Sequence, residues 1–311
     1  MAEVKPRIGV SSCLLGDPVR FNGGHSRDRF LTQVLAPYVE WVPFCPEMEI
    51  GLGAPREALR LTTAGRLVSR SGRDHTEAMA AAADRRRGVL DGLSGYVFKS
   101  RSPSCGLTSV RVYASEAAVR GNGQGLFARR VLAAAPLLPA EEEGRLNDPL
   151  LREAFIEQVF ARERLRRLLG GAWRPRDLVD FHARHKLQLM AHDPDRCQRA
   201  GRLVATSSGR PPAAAAAQYT VLFAEAMARR VSRSRHSNAL QHAFGLVSGR
   251  LDDTRRHDIT ASIEAYRRGE IPLSVPVALI RHHADGCGVG YLEAQTYLRP
   301  FPAALGLRNH A

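Results

Sequence analysis

The sequence predicts an α/β N-terminal domain with a mainly parallel sheet, followed by an all-α C-terminal domain. Two observations carry that expectation. Short apolar runs alternate with helix-like stretches up to about Tyr113, and only helical periodicity follows the Gly170-Gly171 pair. At 311 residues, 44% of them hydrophobic, the chain is long enough for two separate cores.

In chain order, Ile8–Val10 reads as a strand leading to Cys13, and Asp28–Tyr38 as a helix. Val39–Phe44 is a second strand leading to Cys45, His75–Leu93 a second helix, and Tyr96–Phe98 a third strand ahead of Cys105, with Val110–Tyr113 as a fourth. Strand-helix-strand alternation gives parallel neighbours, whose carboxyl ends share one sheet edge. Three thiols distant in sequence are therefore expected to converge there.

Glu141–Gly144 and Asn147–Pro149 interrupt the pattern, and Leu151–Leu169 resumes it as a basic helix. Gly170-Gly171 with Trp173-Arg174-Pro175 reads as a hinge, dividing the chain into domains 1–170 and 171–311. Helices follow at Asp177–Met190, around Cys197–Val204, and at Ala213–Arg230, Ser237–Arg250, Asp252–Arg268 and Pro272–His283. The stretch 207–217 is either a short linker or a helix begun by its prolines. There is no internal repeat.

The first residues lack a basic-then-apolar leader, and no window approaches eighteen uninterrupted apolar residues, so the expected location is cytoplasmic, away from any membrane. Nothing marks an obligate protein partner. Five cysteines, an odd number without an export signal, argue for thiols or metal ligands over disulfides. Residues 1–150 hold 20 Lys and Arg against 16 Asp and Glu, whereas 151–311 hold 25 against 15, so the second half carries +10 of the net +14. That half is rich in arginine, whose planar fork suits phosphate, and holds nine of the eleven histidines.

Cys13 sits in "GVSSCLLGDPVRFNGG", Cys45 in "FCPEMEIGLGAPRE" and Cys105 in "KSRSPSCG". None forms a C-x-x-C pair, so zinc-ribbon spacing is absent. Each stands beside glycine, proline or serine, and Cys105 is expected in an exposed turn. Three thiolates from three strand ends can hold zinc, or three irons of a four-iron cluster, with one metal position open in either case. Glu47, two residues after Cys45, is placed to act as a base, and Ser102 and Ser104 to donate or position.

These strings, together with "NGQGLFARR" at 122–130, resemble the thiouracil desulfidase (TudS) family over roughly residues 6–165. The resemblance implies a [4Fe-4S] cluster on Cys13, Cys45 and Cys105, one iron open to a thiocarbonyl sulfur, and assistance from Glu47 and Ser102, with Ser104 as a further candidate. "HKLQLMAHDP", "SRHSNALQHAFG" and "YRRGEIPLSVPVALIRHHA" resemble a YbgA-like helical domain. Its fusion behind a desulfidase domain is similar to the tRNA 4-thiouridine desulfidase arrangement, which implies tRNA as the partner and substrate. Free thiouracil or another small thioamide is the alternative substrate, and a non-catalytic, metal-bearing nucleic-acid-binding sensor the alternative role. Arg230, Arg233 and Arg235 beside His236 form the candidate RNA patch. His185, His192, His236, His242, His282 and His283 remain open between metal, stacking and core roles, and Cys197 and Cys287 are read as plain thiols.

Overall fold

The computed structural model describes residues 5–115 and 118–310. The chain divides into two units, 1–155 and 156–311.

The N-terminal unit runs β1 (Arg7–Ser11), β2 (Glu40–Phe44), α1 (Pro46–Glu49), β3 (Leu59–Thr62), β4 (Leu67–Ser69), α2 (Thr76–Arg85), α3 (Arg87–Leu90), β5 (Gly95–Phe98), β6 (Val110–Tyr113), β7 (Val119–Gly123), α4 (Leu126–Ala134) and β8 (Ala140–Glu142), and then the start of α5 (Pro149–Leu169). One sheet has the order β2-β1-β5-β8 with every pairing parallel. All four residues of β5 are buried, as a strand covered on both faces requires. Phe44, Met79, Phe98, Leu126, Phe127 and Val131 pack one side of the sheet against its helices.

The expected first helix is a π turn, Phe30–Leu35, tightening to a 3-10 turn, Ala36–Tyr38. Pro37 lacks the N–H that an α-helical bond to the Gln33 carbonyl would need. The second breaks at Arg86, two residues before the poor helix former Gly88.

Val110–Tyr113 is a strand, but it belongs to a second, mixed sheet of order β4-β3-β6-β7. The glutamate run expected to interrupt the fold is itself β8, with Tyr96 opposite Ala140 and Phe98 opposite Glu142. Three adjacent carboxylates disfavour a strand by composition. This one is stabilised by the donors its side chains reach, described below.

The unit boundary at Phe155/Ile156 lies within α5, upstream of the glycine pair at 170–171. The C-terminal unit contains the rest of α5, α6 (Pro175–His192), α7 (Pro194–Ala205), α8 (Pro212–Met227), α9 (Arg233–Val247), α10 (Asp253–Arg268), α11 (Ser274–Gly286) and the short α12 (Gly290–Glu293). Pro212 stands in the first turn of α8, so the proline-alanine stretch starts a helix. Helix α6 is buried on two faces: Leu178 and Leu189 join a cluster with Tyr219 and Phe223, while Leu187 and Ala191 join one with Leu240, Ile263 and Ile280. Among the described residues no helix is long and apolar enough to cross a membrane.

Candidate active site

Strands β2, β1 and β5 lie side by side and parallel, so the loops at their carboxyl ends meet. Cys13 is in the 3-10 turn that follows β1, Cys45 is the first residue past β2, and Cys105 lies within the loop of residues 99–109 that leaves β5. All three line one cavity of about 400 Å³, which Glu47 and Ser102 also face. Cys105 is not exposed, as its turn-like neighbours suggested: it and Cys13 are buried, and Cys45 is partly so. The β5 loop folds inward over the sheet end, where polar groups on its flanks find partners.

Burial, with the neighbouring Cys45 next in importance, pushes the Cys13 thiol up to about 12. Burial likewise raises Cys45, and raises Cys105 well above the ordinary thiol range, with Glu47 and the other two cysteines adding to the latter. The sulfurs thus feel one another across the cavity. Alone they stay protonated; a soft cation bound there would displace the protons.

The Cys105 loop is bound from three directions. Ser102 Oγ accepts the N–H groups of Ser104 and Cys105 at 3.3 and 3.1 Å. Upstream, Glu143 accepts from the Ser100 N–H and hydroxyl, each at 2.7 Å, and pairs with Lys99. Downstream, the buried Glu142 accepts from the N–H groups of Leu107 at 2.6 Å and Thr108 at 3.2 Å and from the Ser109 hydroxyl. A carboxylate withdrawn from water needs such donors. Behind the loop, the first turn of α4 donates from Leu126 and Ala128 to the carbonyls of Pro103 and Ser104. Gly125 makes this approach possible, because a Cβ there would lie 2.5 Å from the Ser104 carbonyl oxygen. Sequence reasoning did not find Glu142, Glu143 or Gly125; the "NGQG" string was the available signal.

Glu47 is held at both oxygens. Oε1 accepts from the Ser104 hydroxyl at 2.8 Å, and Oε2 accepts from Arg56 Nε at 2.9 Å and from Arg56 Nη2. Arg56 is nearly buried, and its remaining donors go to the Gly53 and Val19 carbonyls at 2.6 and 2.9 Å. Ser102 faces the cavity; Ser104 is fully buried behind Glu47. Arg56 is a site residue that the sequence reading passed over.

The sequence model of the 2-thiouracil desulfurase family matches residues 8–143, a span that contains every group named so far. The uncharacterized protein YbbK of Bacillus subtilis (strain 168) is 32% identical over 110 residues, covering 32% of this chain and 72% of that protein. The chain belongs to the 2-thiouracil desulfurase family.

Behind the desulfurase domain, the model of a protein family of unknown function, DUF1722, matches residues 186–302. The uncharacterized protein YbgA of Escherichia coli (strain K12) is 29% identical over 158 residues, covering 50% of this chain and 94% of that protein. A solved structure described as [4Fe-4S]-dependent thiouracil desulfidase TudS is 29% identical, covers 46% of this chain and 95% of its own, and superposes with a TM-score of 0.40.

Among the described residues, no three His, Cys, Asp or Glu side chains stand together as ligands of a single ion. Three thiols on three loops around one cavity suit a group of several metal atoms, each taking one sulfur. The desulfurase domain therefore fits an iron-sulfur cluster better than a mononuclear zinc.

In the C-terminal unit the candidate residues have other partners. Arg230 and Arg233 are exposed, but Arg235 donates to the His192 carbonyl at 3.0 Å. His236 shares a 3.0 Å hydrogen bond with the Tyr297 hydroxyl; burial, helped by the Arg308 charge, pushes it down to about 3, so it is neutral at physiological pH. His185 stacks on Phe181, bonds the Phe181 carbonyl at 2.8 Å, and burial lowers it to about 3. His192 bonds the Arg229 carbonyl at 2.9 Å and lies 3.7 Å from Glu157. Glu157 also meets Gln188 at 2.6 Å and Arg308 at 3.4 Å, and against its burial these partners hold its carboxyl far below the usual range. His242 is exposed, and His282 and His283 stand ring to ring at 5.2 Å. Cys197 is buried with its thiol 3.7 Å from the Lys186 carbonyl, and Cys287 is half-buried.

Proposed function

We propose that this protein is a hydrolytic desulfidase that removes sulfur from a thiolated uracil, acting on 4-thiouridine in tRNA and releasing uridine and sulfide. The observation that carries the reading is the meeting of three thiols from three strand ends with a doubly held carboxylate in one cavity. Cys13, Cys45 and Cys105 would hold a [4Fe-4S] cluster. When bound, the cluster supplies a soft iron position, unoccupied by protein, that prefers a thiocarbonyl sulfur to water.

The protein's own groups do the rest. Glu47 faces the cavity and takes the proton that water sheds as it adds to the thiocarbonyl carbon. Arg56 and Ser104 fix the carboxylate in one orientation, which spares the reorganisation a mobile side chain would need. Ser102 stiffens the Cys105 turn by accepting two N–H groups, and its hydroxyl proton would be available to donate to a group bound in the cavity it lines. C=S and water become C=O and hydrogen sulfide, so no electrons are consumed. The high arginine content and +10 charge of residues 151–311 support a large polyanionic substrate.

The test is anaerobic reconstitution with iron and sulfide, incubation with thiolated tRNA, and nucleoside analysis. Conversion of 4-thiouridine to uridine with equimolar sulfide is expected. Intact 4-thiouridine alongside efficient conversion of free thiouracil would transfer the activity to small thiobases, and no desulfidation of either would refute the enzyme.

A further inference from the structure

Two buried side chains of the central strands, Ser11 on β1 and Tyr96 on β5, carry hydroxyls that take no part in holding Glu47. Ser11 is the last residue of β1 and lines the cavity. Its Oγ accepts the Lys99 N–H at 3.0 Å, which fixes the side chain between β1 and the residue that follows β5. The same side chain hydrogen-bonds the Cys105 sulfur. A thiolate bound to iron carries no proton, so in a loaded site the hydroxyl is the donor of that bond.

Tyr96 stands opposite Gly9 of β1, and its ring occupies the space that a side chain at Gly9 would fill, since a Cβ there would lie 2.3 Å from Tyr96 Cδ2. Glycine weakens a strand interior, and this one admits the ring. The ring stacks on Phe98 at a centroid distance of 4.0 Å, within the apolar cluster that also holds Phe44 and Cys105. Phenylalanine would fill that seat as well. What tyrosine adds is a buried hydroxyl with no hydrogen-bond partner among the described residues, a loss of about 1–3 kcal/mol. An orphaned buried donor calls for an explanation, and its surroundings narrow the choice. Burial pushes the phenol well up, and of the charged groups around it Cys105 acts most strongly, then Arg86 and Cys45. Two of those three are sulfurs of the candidate cluster site, and a guanidinium cannot accept.

We infer that Ser11 and Tyr96 are positioning residues that donate hydrogen bonds to sulfurs on the Cys105 side of the iron-sulfur cluster. This rests on the desulfidase reading of the same cavity. A hydrogen bond to sulfur withdraws electron density from it, which stabilises the reduced cluster and raises its potential. The same withdrawal strengthens the pull of an open iron on a thiocarbonyl, without either residue touching the substrate.

The experiment needs no turnover. Full-length protein is loaded anaerobically with iron and sulfide, and the cluster potential is measured by redox titration, followed by the electron paramagnetic resonance of the reduced form. Wild type, Ser11→Ala, Tyr96→Phe and the double variant are compared. Each single change removes one oxygen and keeps the ring or the strand packing, so the fold is preserved. Each is expected to lower the potential, the double variant by about the sum, and to speed iron loss to a chelator by about tenfold. Ser11→Thr keeps a hydroxyl and suits a strand, and should return the wild-type potential. An unchanged potential in Ser11→Ala or in Tyr96→Phe overturns the inference. Faster iron loss at an unchanged potential marks a packing role and overturns it as well. Wild-type protein that takes up no cluster would overturn it together with the desulfidase reading. Lowered potentials in a protein that desulfidates neither tRNA nor free thiouracil would sink that reading and leave the two donors standing.

Discussion

Cys13, Cys45, Cys105 and Glu47 in the N-terminal unit, and His185, His192, His236 and Glu157 in the C-terminal unit, are all withdrawn to some degree from water. Their surroundings differ in kind. The first set turns toward a cavity of about 400 Å³, with its carboxylate fixed from behind by Ser104 and Arg56. The second set bonds carbonyls, a hydroxyl, an amide and a guanidinium inside the helical unit, while His185 Nε2 and His192 Nε2 are buried without a hydrogen-bond partner among the described residues. Perturbed titratable groups occur in both. Only where they face space that a ligand can enter does the perturbation indicate chemistry; in the other case it reflects the protein's own packing.

The comparison can be broken most severely at the thiols. Cys13→Ala or Cys105→Ala is expected to lose most bound iron and all turnover, whereas Cys197→Ala and Cys287→Ala keep both; iron content per chain after anaerobic preparation decides. Next comes Glu47→Gln, which should keep its iron and lose about a hundred- to ten-thousand-fold in rate. A fully loaded variant of near-wild-type activity would remove Glu47 from the mechanism. On the helical side, Arg308→Met leaves the Glu157 carboxylate without its cation and should cost about 3–5 kcal/mol in a denaturant titration, with iron binding by the N-terminal unit retained.

Smaller effects sharpen the distinction. Gly125→Ala forces a methyl onto the Ser104 carbonyl and should cost about 1–3 kcal/mol, together with weaker iron retention because the Cys105 loop shifts. The last effect is spread over pH: the acid sensitivity of the helical unit, small near neutrality and growing as the pH falls. His185 and His236 titrate near 3 when folded, below the ordinary histidine value, so the unfolded chain takes up protons first. Their contribution is complete above about pH 6.5 and is lost as the pH falls toward 3, at up to about 1.4 kcal/mol per pH unit for each ring. Melts of His185→Phe between pH 7 and 5 should show a flatter dependence than wild type, and an equal slope would show that this ring does not drive it.

Much of the site was legible because the apolar runs ahead of Cys13, Cys45 and Cys105 mark strands, and parallel strands place their ends together. The short β3–β4 hairpin was not, since strands of four and three residues give too few alternations to stand out. Nor was β8, whose two glutamates, with Glu143 just beyond, oppose a strand by propensity; Glu142 and Glu143 are accommodated by donors supplied from the loop around Cys105.

The sequence by itself determined the alternation that builds a parallel sheet, the helical character of the second half, the three thiols with Glu47 beside one of them, and the excess of arginine. Each follows from residue type and spacing along the chain. The tertiary structure decided that Cys105 is buried, that Glu142, Glu143 and Gly125 fix its loop, that Arg56 and Ser104 hold Glu47, and that Arg235 and His236 face inward partners. Those outcomes depend on which donors and acceptors become neighbours once strands far apart in sequence pair. Burial and hydrogen bonding are set by that pairing, and local composition does not encode them.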